Sequence, residues 1–165
     1  MSRPETHPSP ALRIGLIGSA TADDGALAAA RAVGRAVAEA RAVLVCGGLG
    51  GVMDAAARGA SEDGGTVVGI LPGDDARDAS SGVTIPLPTG LGEARNTLVV
   101  KAADAVIAVA GEWGTLNEAA MCLKTGTPLV GVHDTLPAEL PIRRIADPAD
   151  AVAVALDLGL ERRSQ

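Results

Sequence analysis

The stretch GEWGTLNEAAM, residues 111–121, holds two glycines, a threonine and two glutamates around Trp113, the one Trp of a chain with no Phe or Tyr. Gly111 and Gly114 permit a tight turn. A helix starting there presents unpaired N–H groups and a partial positive charge, a place for an anion such as phosphate. Thr115 can cap that helix or bind the anion through its hydroxyl. Glu118 stands three residues further on, which is also the spacing of a capping box. Glu112 adds a carboxylate inside the turn itself. Trp113 has two readings: stacking on a flat heterocycle, or packing against a partner subunit.

A second candidate group is Arg95 with Asn96 in GLGEARNTLVV. Leu98, Val99 and Ala102 place one face of that helix in the core, which puts Arg95 and Asn96 about a turn away, at the cleft end. The competing reading is a surface arginine. Two more glycine turns could approach a ligand closely. GSATADDG offers Gly18 and Ser19, and CGGLGGVM offers Gly47, Gly48, Gly50 and Gly51 followed by Met53. Glycines in the second turn serve close helix–strand packing equally well.

These residues need elements that bring the turns to one end of the molecule. Short β-rich runs at 13–19, 42–48, 66–72, 104–111 and 128–132 alternate with Ala-rich helical patterns at 25–40, 51–64, 114–124 and 147–161. A short strand near Val83–Leu87 and a helix near 91–102 complete the pattern. Continuously apolar strands alternating with helices predict a single doubly wound, mostly parallel α/β sheet of Rossmann-like form, with helices on both faces. In such a sheet the glycine turns follow the carboxyl ends of the strands, where ligands bind. Residues 1–11 read as a flexible leader and 12–160 as one nucleotide-binding domain.

Composition narrows the function. The net charge of −6 argues against nucleic acid as a partner, since no basic stripe is present to neutralise a phosphate backbone. A small anionic ligand is compatible, because backbone amides bind phosphate without net positive charge. Cys46 and Cys122 are far apart and His7 and His133 isolated, so neither a disulfide framework nor a metal site is expected. MSRPETHPSP has no apolar stretch of a signal peptide, and no run approaches the roughly 18 apolar residues of a membrane span. The expectation is a cytoplasmic protein with no membrane partner.

Taken together, GGLGGVMDAAARGA, GILPGDD, PLPTGLGEARN and ADAVIAVAGEWGTLNEAAMCLKTGTPLVGV resemble the Rossmann-like LOG/DprA superfamily, long mislabelled lysine decarboxylases. The resemblance spans roughly residues 12–158. It includes the cytokinin-activating LOG phosphoribohydrolases, with their GG…GLM turn and PGGxGTxxE motif, and is greatest to a short branch that includes molybdenum cofactor carrier proteins. Against that motif, Ala110 stands at the Pro, Gly111 and Glu112 at the two glycines, and Trp113 at the variable position, followed by Gly114, Thr115 and the terminal Glu118. Arg95 matches the arginine paired with that glutamate. Cys46 replaces a glycine of the first turn, whereas Gly51, Val52 and Met53 match GLM.

The resemblance implies phosphate held by residues 111–115, a catalytic Glu118 that stabilises an oxocarbenium-like transition state, and an Arg95 that orients substrate. Glu112 and Asn96 depart from the enzymes' pattern, and both lower the positive potential. Retention of Arg95 and Glu118 makes an N-glycosidase (phosphoribohydrolase) acting on nucleoside 5′-monophosphates the leading reading. The branch match and Glu112 favour carriage of the molybdenum cofactor, a phosphorylated pterin, as a bound ligand. A non-catalytic nucleotide-sensing module is the third reading. No cofactor is required for any of them, the partner is a small phosphorylated nucleotide or pterin, and the resemblance implies a homo-oligomer, dimer or tetramer.

Overall fold

The computed structural model describes residues 9–165, so most of the expected leader lies outside the described residues. The elements follow in order: β1 Arg13–Gly18, α1 Asp24–Glu39, β2 Val43–Cys46, α2 Val52–Glu62, β3 Thr66–Leu71, β4 Ile85–Pro88, α3 Asn96–Ala102, β5 Ala105–Val109, α4 Trp113–Thr125, β6 Leu129–Val132, β7 Arg143–Arg144 and α5 Pro148–Arg163. All strand pairings are parallel, and the sheet order is β4-β3-β2-β1-β5-β6-β7. The doubly wound sheet expected from the alternation is therefore present.

Its interior is built from small branched side chains alternating across the two faces. In β5, Ala105, Ile107 and Val109 pack with α1, α2 and α5, while Val106 and Ala108 face α3 and α4. Every residue of β5 is fully buried, as a central parallel strand covered on both sides must be. Without aromatic bulk, density comes from close approach. A Cβ on Gly34 would lie 2.0 Å from the Ala56 carbonyl oxygen, and one on Gly59 would lie 2.2 Å from that of Arg31, so α1 and α2 meet backbone to backbone.

Three expectations need correction. The short strand lies at Ile85–Pro88, later than Val83–Leu87, because Thr84 is spent on a side-chain clamp to Val67 at the strand start. The helix near 91–102 is two pieces, a 3₁₀ turn over Gly92–Arg95 and then α3. In α3 it is Val99 and Val100 that enter the core, whereas Leu98 is exposed. Strand β7, two exposed arginines, carries no apolar signal by which a sequence could announce it.

Candidate functional site

The strand order decides where a site can lie. From β1 the chain winds through β2 and β3 to β4, then returns to β5 on the other side of β1 and winds through β6 to β7. The crevice between the carboxyl ends of β1 and β5 is thus the switch point of the sheet. Gly18 ends β1 there. A Cβ at this position would lie 2.2 Å from the Val109 carbonyl oxygen and 2.3 Å from Val52 Cγ2, so only glycine lets β5 and α2 close on β1.

A cavity of about 330 Å³ opens at this point, within the range of small-molecule sites. The end of β1 and the turn after it contribute Gly18 and Ser19, the turn after β2 contributes Gly47, and the start of α2 contributes Met53. Arg95 and Asn96 enter from the start of α3, while Glu112, Gly114, Thr115 and Glu118 come from the start of α4. Ten of the sequence candidates therefore share one cleft. Gly48, Gly50, Gly51, Gly111 and Trp113 do not line it.

Gly48 and Gly51 serve the turn instead, with φ of 76° and 67°. Gly51 also precedes α2 so tightly that a Cβ would lie 2.4 Å from the Ser19 carbonyl oxygen. Gly111 accepts a hydrogen bond from Thr135 Oγ1 through its carbonyl. Trp113 is 87% exposed and lines a separate groove with Leu116, Leu136 and Pro137.

Helix α4 differs from the expected cap. It begins at Trp113, its N-cap is Glu112, and no side chain caps it. Thr115 is therefore the third helical residue, and the Thr115–Glu118 spacing is not a capping box. The first N–H groups of the helix remain available beside the cavity. Just before the helix, Ala110 holds a φ of 53°, a conformation unusual for a residue with a Cβ, and its N–H donates to the His133 carbonyl.

Glu118 is 7% exposed and lines the cavity, with no side-chain hydrogen bond among the described residues. Burial pushes its carboxyl up to about 7, and the Arg95 charge partly opposes that rise. Arg95 lies over the end of β2, where a Cβ on Gly47 would sit 2.7 Å from Arg95 Nη2 and 2.8 Å from Met53 Sδ. The absence of a side chain at Gly47 thus makes room for both the guanidinium and the thioether. Arg95 Nη1 donates to Asn96 Oδ1, while Arg95 Nε is buried without a partner. A cation, a protonated or ionised carboxyl and a helix N-terminus consequently converge on one small hollow.

Glu112 points away from its own helix. Its Oε1 lies 2.6 Å from Ser19 Oγ and 2.6 Å from Thr21 Oγ1, so the carboxylate ties the turn after β5 to the turn after β1. These hydroxyls hold its carboxyl below the usual carboxylate range. Sequence reasoning missed Thr21, although it lies in a turn already marked as glycine-rich. It also missed Leu49, Pro72 and Glu93 on the cavity wall. Pro72 and Glu93 reach the site only through the sheet order, which no local pattern reveals.

Cys46 and Cys122 are buried thiols, pushed up to about 11 and about 12 by burial. Among the described residues no helix is long and apolar enough to cross a membrane.

Most of the chain has clear counterparts. An uncharacterised protein of Archaeoglobus fulgidus is 44% identical over 117 residues, covering 70% of this chain and 76% of that protein. The structure of the molybdenum cofactor binding protein of Rippkaea orientalis superposes with a TM-score of 0.87 at 31% identity, covering 92% of this chain and 99% of that one. The molybdenum cofactor carrier protein of Chlamydomonas reinhardtii superposes with a TM-score of 0.80 at 34% identity, covering 90% and 98%. The model of the SLOG cluster4 family matches residues 11–154, and with the seven-stranded parallel sheet and its switch-point cleft this chain belongs to that family.

Proposed function

We propose that this protein binds and carries the molybdenum cofactor, a phosphorylated pterin, in the cleft between β1 and β5, without cleaving it. The observation that carries this reading is the near-complete likeness to a molybdenum cofactor binding protein and a carrier protein, at 31% and 34% identity. The cleft's chemistry is compatible with it. The N-terminal amides of α4 and the Arg95 guanidinium suit a phosphate, while Leu49, Met53 and Pro72 offer apolar wall for a ring.

The N-glycosidase reading has one observation in its favour, the presence of both Arg95 and Glu118 in the cavity. Its chemistry needs an ionised carboxylate under the developing positive charge. Burial pushes the Glu118 carboxyl up to about 7, so near neutral pH it is divided between ionised and protonated forms. The protonated form donates a hydrogen bond, which suits retention of an oxygen- or nitrogen-rich ligand.

Gly114 provides the test. It lines the cavity, and a Cβ there would meet nothing within 4 Å, so a side chain fills the site rather than disturbing the fold. Wild type is expected to retain the cofactor through gel filtration and to release no base from nucleoside monophosphates. Gly114→Leu is expected to lose the cofactor with an unchanged melting temperature. Base release by wild type, or full retention by the variant, defeats the reading.

The proposed carrier is a homo-oligomer. Leu98 on α3 and Leu123 on α4 are exposed apolar side chains on one side of the sheet, as an interface between copies requires. Sedimentation equilibrium at micromolar concentration is expected to give a multiple of the 16.3 kDa chain mass.

A further inference from the structure

The crevice at the switch point is divided. On one side lies the cavity of about 330 Å³ that holds Arg95 and Glu118. On the other lies a hollow of about 170 Å³ walled by Thr21, Asp23, His133 and Thr135. Ser19 and Glu112 line both, and they form the partition between them. Thr21 Oγ1 donates to Glu112 Oε1 at 2.6 Å. The single Ser19 hydroxyl proton is shared between that same oxygen and the Thr21 carbonyl. Thr21 N–H donates in turn to Ser19 Oγ at 3.1 Å, so the loop is already folded around the carboxylate.

We propose that Glu112 sets how many phosphates a ligand of this site can carry, acting as a resident anion that closes the crevice after the first. The inference rests on the reading that a phosphorylated ring occupies the larger cavity. The partition stands between the larger cavity and the smaller hollow, so a second phosphate extending from the α4 N-terminus towards that hollow meets Glu112. There the two hydroxyls that would receive it already serve a carboxylate, and the negative charge of Glu112 repels it. Asp23 on the far side adds charge of the same sign. Its Oδ1 lies 3.5 Å from His133 Nε2, and it caps α1 through Ala26 N–H. One like-charge contact at this range, on a surface facing water, lowers affinity by about tenfold. A monophosphate fits the undivided half, whereas a diphosphate or dinucleotide needs the gap that Glu112 fills.

The backbone does not oppose the substitution that tests this. Glu112 has an extended backbone, φ −129° and ψ −169°, that any residue adopts, and its side chain makes no cap bond to α4. Phosphorus NMR titrations of wild type, Glu112→Gly and Glu112→Gln with inorganic phosphate and with pyrophosphate measure the discrimination directly. Wild type is expected to bind pyrophosphate no more tightly than phosphate. Glu112→Gly is expected to gain about tenfold or more for pyrophosphate and far less for phosphate. Glu112→Gln, which keeps the length and removes the charge, is expected to recover part of that gain.

An unchanged ratio in Glu112→Gly, or no gain at all in Glu112→Gln, overturns the inference. Cofactor retention by wild type, measured in parallel, reports separately on carriage. Retention with an unchanged ratio removes only the partition, and a gain without retention removes only the cargo.

Discussion

Two buried carboxyls flank β5, one before its first residue and one in the helix that follows it, and their surroundings are opposite. Asp104 is 5% exposed and accepts five hydrogen bonds, three from Arg13 and two from Arg163. Burial works against its charge, yet those arginines hold its carboxyl down at about 2. Glu118 is buried to a similar depth, accepts no such bonds, and is pushed up to about 7. The amino-terminal end of the sheet spends its polar groups on holding the chain together. The carboxyl end leaves one unsatisfied, facing a cavity. An unpartnered acid is tolerated where a ligand's groups can complete it, and it lowers stability until they do.

The largest effect expected from breaking this contrast is at Asp104. Removing its side chain in Asp104→Ala leaves the Arg13 and Arg163 guanidinium groups without their anion, and chemical denaturation is expected to show a loss of about 4 kcal/mol. Cofactor retention by the folded fraction should be unchanged. The depressed carboxyl also predicts the acid limb of the wild type. A folded pKa below the unfolded one stabilises at higher pH, and that stabilisation is lost as pH falls from near 3.8 through about 2. Asp104→Ala should lack this limb.

Glu118→Gln is expected to act in the opposite direction. A folded carboxyl at about 7 keeps a proton that the unfolded chain releases near 4.5. Stability therefore falls as pH rises between those values and is flat above them. The glutamine variant has no charge to bury, so it should match wild type near pH 4 and exceed it by about 3 kcal/mol at pH 8. Melting curves across pH 4–8 measure this. A variant that is less stable than wild type at pH 8 would mean that Glu118 has a structural partner, and the contrast with Asp104 would disappear.

The smallest effect sharpens the comparison at its edge. Trp113 sits on the same helix as Glu118 but is 87% exposed. Trp113→Ala should change the stability of the isolated chain by no more than about 0.5 kcal/mol. A larger loss that depends on protein concentration would place Trp113 in the contact between copies.

Much of this was legible in the amino-acid order, for identifiable reasons. Strands β1, β2, β3, β5 and β6 are legible as short apolar runs, whereas β7 is not, and helices α1 and α5 carry aspartate caps at Asp23 and Asp147. Ten candidate site residues share the cleft because strand-to-helix turns in a parallel sheet all open at one end. The misplacements occurred where local signals are ambiguous. In the seven-residue helix α3, Leu98, Val99 and Val100 are all apolar, and the local pattern does not say which two of these neighbours enter the core. Glu112 reads locally as a neighbour of its own helix, yet its partners are 93 and 91 residues away.

The layered α/β form and the glycine turns follow from hydrophobic periodicity and backbone freedom over a few residues, and the motif resemblance points to Arg95 and Glu118. Three outcomes emerge only in the folded protein: β5 lies beside β1, Gly47 gives up its side-chain space to Arg95 and Met53, and Glu118 is buried with no hydrogen-bond partner among the described residues while Asp104 accepts five bonds. Those outcomes depend on desolvation and on charges brought together from distant parts of the chain. Neither quantity exists until the sheet has closed.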